Sequence, residues 1–168
     1  MYILNNDEEI IGELENDGSE AAAYWEDEIS EKLNDAYLTL NFKMDGNHPT
    51  AALIEVKKRI VATDDDGNLI LFIIEEVQDH TAEDGSHYKE VYAEHAALEL
   101  LGKVIRPQTY GGFTAEQFYN SILENTAWDL GVVEWAGTAD VVFEDYTNAI
   151  DGILKGREAF NSGELRYR

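Results

Sequence analysis

The chain has 168 residues, 44% apolar and 11% aromatic, with two prolines and no cysteine; this describes one globular domain or two small ones and excludes low-complexity disorder, disulfides, thiolate catalysis and sulfur-ligated zinc. Its 35 acidic and 12 basic residues give a formal charge of −23, which excludes general electrostatic attraction to DNA or an anionic membrane, since that needs cations to displace counterions from phosphate. The charge is uneven: residues 1–84 carry 22 acids and 5 bases (net −17), residues 85–168 carry 13 and 7 (net −6).

The N-terminus, Met1 to Asn6, has no basic region and runs straight into Asp7-Glu8-Glu9. It does not read as a signal peptide, and no apolar run approaches membrane-spanning length; the chain is expected to be soluble where it is made. "EAAAYWEDEISEKLND" (20–35) fits either a charged strand or a short helix. In "AYLTLNFKM", Leu38, Leu40, Phe42 and Met44 alternate with polar residues, a period of two that predicts a strand with one face in a core. "DGNHPT" (45–50) breaks the chain, and "AALIEVKKRIVA" (51–62) resumes an extended pattern. Asp66-Gly67 is the dipeptide best suited to a type I′ hairpin turn, and "NLILFIIEEVQ" returns as a strand with apolar side chains on both faces. A second turn at "EDGSH" (83–87) completes an expected antiparallel meander of about four strands over residues 36–94.

The period then changes. "EHAALELLG" (94–102) has helical spacing and ends on Gly102. "GGFTAEQFYNSILENT" is a stronger helix: Thr114 caps it, Gln117 completes a capping box, Phe113 is placed to staple onto Phe118, and Ala115, Phe118, Ile122 and Leu123 form the buried stripe. "WDLGVVEW" and "ADVVFEDY" read as strands, "TNAIDGILKGREAF" as a helix weakened by Gly152 and Gly156, and "GELRYR" as the start of a strand.

Candidate chemistry is sparse. A helix–loop–helix calcium site needs oxygen ligands on alternate residues before its glycine and a bidentate Glu six residues after it. Here those positions are Ala62, Asp64, Asp66 and Ile73, so Asp64, Asp65 and Asp66 are expected at a solvated hairpin tip. His48, His80, His87 and His95 follow no metal-ligand spacing. Ser19, Ser30, Ser86, Ser121 and Ser162 lack a nucleophile elbow, and no Gly-rich loop cradles phosphate. With 35 acids, pairs such as Glu75-Glu76 and Glu144-Asp145 arise by chance and carry no glycosidase assignment. Lys57-Lys58-Arg59, the one basic cluster, reads as a solvated strand balanced by nearby acids. Trp25, Trp128, Trp135 and nine tyrosines suit a core or a subunit interface better than a carbohydrate platform. No catalytic, metal-binding or cofactor-binding residue is assigned.

Four segments, in order, carry a likeness to a known family: "LNDAYLTLNF", "VATDDDGNLILFIIEEV", "VYAEHAALELL" and "FTAEQFYNSILENTAWDLGVV", spanning residues 33 to about 135. Their sequence and spacing resemble the N-terminal part of the tail-hub, or tail-associated lysin, proteins of bacteriophages and prophages, also described as minor structural proteins or prophage tail endopeptidases. The resemblance implies an α+β protein: an antiparallel, tail-tube-like barrel over residues 1–93, then an α/β subdomain with two or three helices over residues 94–168. It implies a non-enzymatic role in the tail tip, or baseplate hub, as a homotrimeric ring that continues the tail tube. The ring would adjoin a tail-tube or distal tail protein and pass DNA without specific binding. It would need no cofactor and no membrane at rest, and would sit in the virion after assembly in the bacterial cytoplasm. The family usually continues into a second barrel, so ending at Arg168 implies a fragment or a shortened hub, and lytic activity is not carried over. The rival readings are a cell-wall-degrading enzyme and a glycan- or receptor-binding tail module. A further expectation is that many carboxylates of the first half face the channel, where they would repel phosphate.

Overall fold

The structure, a computed structural model, describes residues 1–16, 21–31 and 38–161. Two compact units divide the chain, the first ending at Ala96 and the second starting at Ala97. In the first, β1 (Tyr2–Leu4), β2 (Ile10–Glu15), β3 (Ala22–Glu31), β4 (Leu38–Asp45), β5 (Arg59–Thr63), β6 (Leu69–Thr81) and β7 (His87–His95) close on themselves in the order β1-β2-β3-β4-β7-β6-β5. The pairings are antiparallel except for a short parallel ladder, Leu14 to Ala22 and Glu15 to Ala23, between β2 and β3. The period-two pattern does the work of closure: Ile3, Leu40, Phe42, Met44, Ile60, Phe72, Ile74 and Val91 all point inward and are at most 1% exposed. Each large side chain so buried contributes roughly 1.5–3 kcal/mol relative to its exposed state. Residues 22–31, open between strand and helix in the sequence, are a strand.

The simple meander is corrected in two places. First, β4 pairs along its length with β7, from Thr39 opposite Glu94 to Asp45 opposite Tyr88, and not with β5. Residues 46–58 are too long for a hairpin; within them Pro49–Leu53 forms a 3-10 helix, capped by His48 Nδ1, which accepts from Thr50 N–H at 3.2 Å, so the extended pattern resumes only at Arg59. Second, the turns are not type I′, which needs positive φ at both central residues. At 64–68, Asp64 N–H donates to Asn68 O (3.0 Å) and Gly67 N–H to Asp64 O (3.0 Å), with only Gly67 left-handed, at φ +84°. This is a three-residue loop, a type I turn closed by a left-handed glycine. The loop at 82–86 repeats it: Ala82 N–H to Ser86 O, Gly85 N–H to Ala82 O, Gly85 at φ +84°.

The expected helix at 94–102 is a 3-10 helix, Ala96–Gly102, between β7, which extends through His95, and β8 (Val104–Ile105) of the second unit. β9 (Gln108–Thr114) pairs antiparallel with β10 (Thr138–Phe143), and β8 with β11 (Thr147–Asn148). The helices α1 (Ala115–Leu123) and α2 (Ala149–Ala159) lie near the expected positions. Thr114 and Gln117 form the full capping box. The stripe differs by one residue: Tyr119 is buried with Ala115, Phe118 and Ile122, while Leu123 is half-buried. Tyr110 meets both Phe113 (5.4 Å) and Phe118 (5.2 Å), so the helix entry is held through a third ring. Residues 128–135, expected as a strand, are irregular, and Val132 is 92% exposed. "GELRYR" (163–168) lies outside the described residues.

Candidate functional site

At the first hairpin tip Asp64 serves the turn, while Asp65 and Asp66 are exposed. Asp64 Oδ1 accepts from the Asn68 backbone N–H at 2.7 Å, and the Asn68 side-chain amide donates to the same carboxylate. At the second tip, Ser86 N–H and Oγ–H both donate to Asp84 Oδ1 (2.9 and 2.7 Å) and hold its carboxyl below the ordinary aspartate value of 3.8. Among the described residues, no three His, Asp or Glu side chains converge in a way that would hold a metal.

The four histidines have separate surroundings. His48 caps the 3-10 helix, His95 is buried edge-on to Phe72 at 6.0 Å, His80 stacks on Tyr88 at 4.9 Å, and His87 Nδ1 lies 3.0 Å from Thr81 Oγ1. The acid pairs are also divided. Glu75 binds Lys57, whereas Glu76 accepts from the Gln78 amide; Glu144 and Asp145 are exposed. In the second unit, Trp135 rests on Phe160 (5.0 Å), and Trp128 lines an open cleft of about 290 Å³ with Glu99, Lys103 and Asn125. The Lys103 ammonium there donates to the Glu124 carbonyl at the end of α1, where a cation complements the helix dipole.

The most distinctive surface is the outside of the closed sheet, and its two halves differ in chemistry. Register aligns Tyr2, Val61 and Leu71 in one row across β1, β5 and β6, with Ile10, Leu4, Arg59 and Ile73 in the next and Thr63 beside Leu69 in a third. These residues alternate with the inward ones, so they lie on the outer face, although Leu4 is covered there and only 7% exposed. Ile10 is 65% exposed, Leu69 61% and Tyr2 38%, and Val61, Leu71 and Ile73 keep part of their surface in water. Lys57, Lys58 and Arg59 gather at the start of β5, where Lys57 pairs with Glu75 and Arg59 with Glu8 (2.6 Å).

The other half, β3, β4 and β7, presents Glu28, Asn41 and Tyr92, then Trp25, Lys43 and Glu90, in successive rows. Glu26 and Asp27 stand exposed at a bulge. Lys43 binds Glu26 at 2.6 Å, which raises its pKa, and its ammonium lies 5.8 Å from the Tyr88 ring centre. Trp25, 38% exposed, meets the same ring at 6.4 Å. Sequence reading picked out the two-faced apolar character of β6 and the basic cluster. It missed their juxtaposition with Tyr2 and Ile10, because only pairing register places β1 and β2 beside β5.

No protein-family model matches the chain, and no curated protein does. Among solved structures, the chain is similar to a protein described as the tail protein from Neisseria meningitidis MC58, with 12% sequence identity and a TM-score of 0.53, over 80% of this chain and 40% of that one. The chain therefore spans about 40% of that protein's length, and at this identity the likeness establishes a shared fold.

Proposed function

We propose that the chain is a structural, non-enzymatic component of a bacteriophage or prophage tail tip: a baseplate-hub protein whose copies, three in number, form a ring that continues the tail tube and lets DNA through without specific binding. The observation that carries this reading is the fold likeness to a tail protein, together with the closed seven-stranded sheet that this chain forms in its first unit. Chemistry supports it. A charge of −23 suits a wall past which a polyanion must slide, since carboxylates repel phosphate across a Debye length of about 8 to 10 Å at ordinary salt.

Imaging of the assembled protein by electron microscopy tests the proposal. The expected result is a threefold ring whose channel is lined by carboxylates, together with no measurable binding of duplex DNA even at low salt. A neutral or basic channel would overturn the repulsion argument. Peptidoglycan cleavage lost on mutating one carboxylate pair would replace the structural reading with an enzymatic one.

A further inference from the structure

We infer that the Asp66–Gly67 peptide, at the tip of the β5–β6 hairpin, is a site of spontaneous covalent modification: isomerisation of the aspartate, which reroutes the main chain through its side chain. An aspartate followed by glycine is open to this reaction because glycine has no side chain to keep its amide nitrogen from the preceding carboxyl carbon. The step conserves atoms. Gly67 N attacks Asp66 Cγ, a C–N bond forms, and the carboxyl hydroxyl leaves with the amide proton as one water. One water then opens the five-membered succinimide. Opening at Cγ restores aspartate, whereas opening at the α-carbonyl leaves Gly67 joined to Cγ, with one methylene added to the main chain and the α-carboxylate free.

Four Asp–Gly pairs lie among the described residues, and the structure separates them. Gly152 is buried inside α2, and Asp151 Oδ2 accepts from the Asn148 amide at 2.7 Å. Gly46 N–H donates to His87 O at 3.0 Å, Asp45 Oδ1 accepts from Asn47 N–H at 2.9 Å, and the β7 backbone lies 3.2 Å from where a Cβ on Gly46 would be. Both pairs are locked. The two hairpin tips form a matched comparison. Each glycine has φ +84° and open space around it, and each donates its N–H to the carbonyl three residues back, at 3.0 Å for Gly67 and 2.9 Å for Gly85. They differ at the carboxyl. Asp84 Oδ1 is held by Ser86 N–H and Oγ–H, whereas at the first tip the bonds to Asn68 go to Asp64, and among the described residues nothing binds the exposed Asp66 carboxylate. Attack at Asp84 must break two hydrogen bonds to a charged group, and those donors also oppose the protonation that makes a carboxyl lose water. No such bond restrains Asp66. Exposed tips open locally at little cost, which frees the glycine amide at both.

Ageing of the full chain at neutral pH tests this, with proteolytic mapping by electron-transfer fragmentation, which distinguishes isoaspartate from aspartate residue by residue. Asp17–Gly18, outside the described residues, is scored separately. Isoaspartate is expected to accumulate at 66 about tenfold or more faster than at 84, the factor that one hydrogen bond to a charged group is worth. Ser86→Ala removes one of the two donors to Asp84 and should raise the rate at 84 while leaving that at 66 unchanged. In unfolding urea, where both loops are lost, the two rates should converge. Equal rates at 66 and 84 in the folded chain overturn the inference, as does a difference that persists in urea, since it would then come from the neighbouring sequence. Isoaspartate at 66 that forms only in urea overturns it as well, by showing that the folded tip does not admit the attack.

Discussion

Gly156 sits on α2 where a methyl group would lie 2.4 Å from Phe118 Cε1 and 3.0 Å from Tyr119 Cε1. Helix propensity alone favours Gly156→Ala by about 1 kcal/mol. Overpacking a filled aromatic core costs about 1–3 kcal/mol, and the Phe118 ring, fully buried and held against Tyr110, Phe143 and Phe160, has nowhere to go. Gly156→Ala is therefore expected to lower stability, by up to about 2 kcal/mol, in urea unfolding. Gly67 and Gly85 have open space around them but φ +84°, so either Gly→Ala change is expected to destabilise by about 1 kcal/mol through backbone strain alone. Asp84 yields a pH prediction. Its folded pKa lies below its unfolded one because Ser86 donates to the ionised form. Its stabilising contribution is fully present above the ordinary value of 3.8 and is lost as pH falls through the lower, folded value. Following its carboxyl carbon by NMR should give a midpoint below 3.8, and Ser86→Ala should move that midpoint upward.

At the scale of elements, α1 shows which signals survive into the fold. Thr114 accepts from Gln117 N–H at 3.2 Å, and the Gln117 side chain accepts from Thr114 N–H at 3.0 Å; Thr114→Ala is expected to cost about 1 kcal/mol, read as faster amide exchange in α1. That motif was legible because capping chemistry is local. The strand expected at "WDLGVVEW" failed for the complementary reason: Leu130, Val132 and Val133 have the right composition, but a strand also needs a neighbour, and these residues pair with none of the described strands. β9 itself went unread, since Gly111 and Gly112 within it look like a break until Asp140 Oδ1 accepts from Gly112 N–H at 2.7 Å. The glycines of α2 were taken as weakness, yet Gly156 is what admits the Phe118 ring.

At the scale of the whole molecule, the uniform sign of the charge predicts a response to salt. Raising ionic strength from about 0.01 to about 0.1 M shortens the Debye length from about 30 to about 10 Å and relieves self-repulsion in the compact state. The melting temperature should rise by at least about 2 °C, the shift that about 1 kcal/mol produces at this length. Calorimetry across a salt series checks it, and a falling melting temperature would mean that the ion pairs of Lys43, Lys57 and Arg59 outweigh the repulsion.

What the sequence determined by itself was whatever depends on near neighbours: the alternation of β4, the glycines at the two hairpin tips, the capped start of α1, and a charge that turns away polyanions. Tertiary structure alone decided which strands lie side by side. β4 found β7 and not β5, and β1 closed the ring against β5, because those pairings bury Ile3, Phe42, Phe72 and Val91 together. Contacts between residues more than forty positions apart are selected by the packing of the whole core, a quantity no local window contains. The same closure put Tyr2 and Ile10 on one outer face with Leu69 and Leu71, residues that, read singly, were ordinary surface.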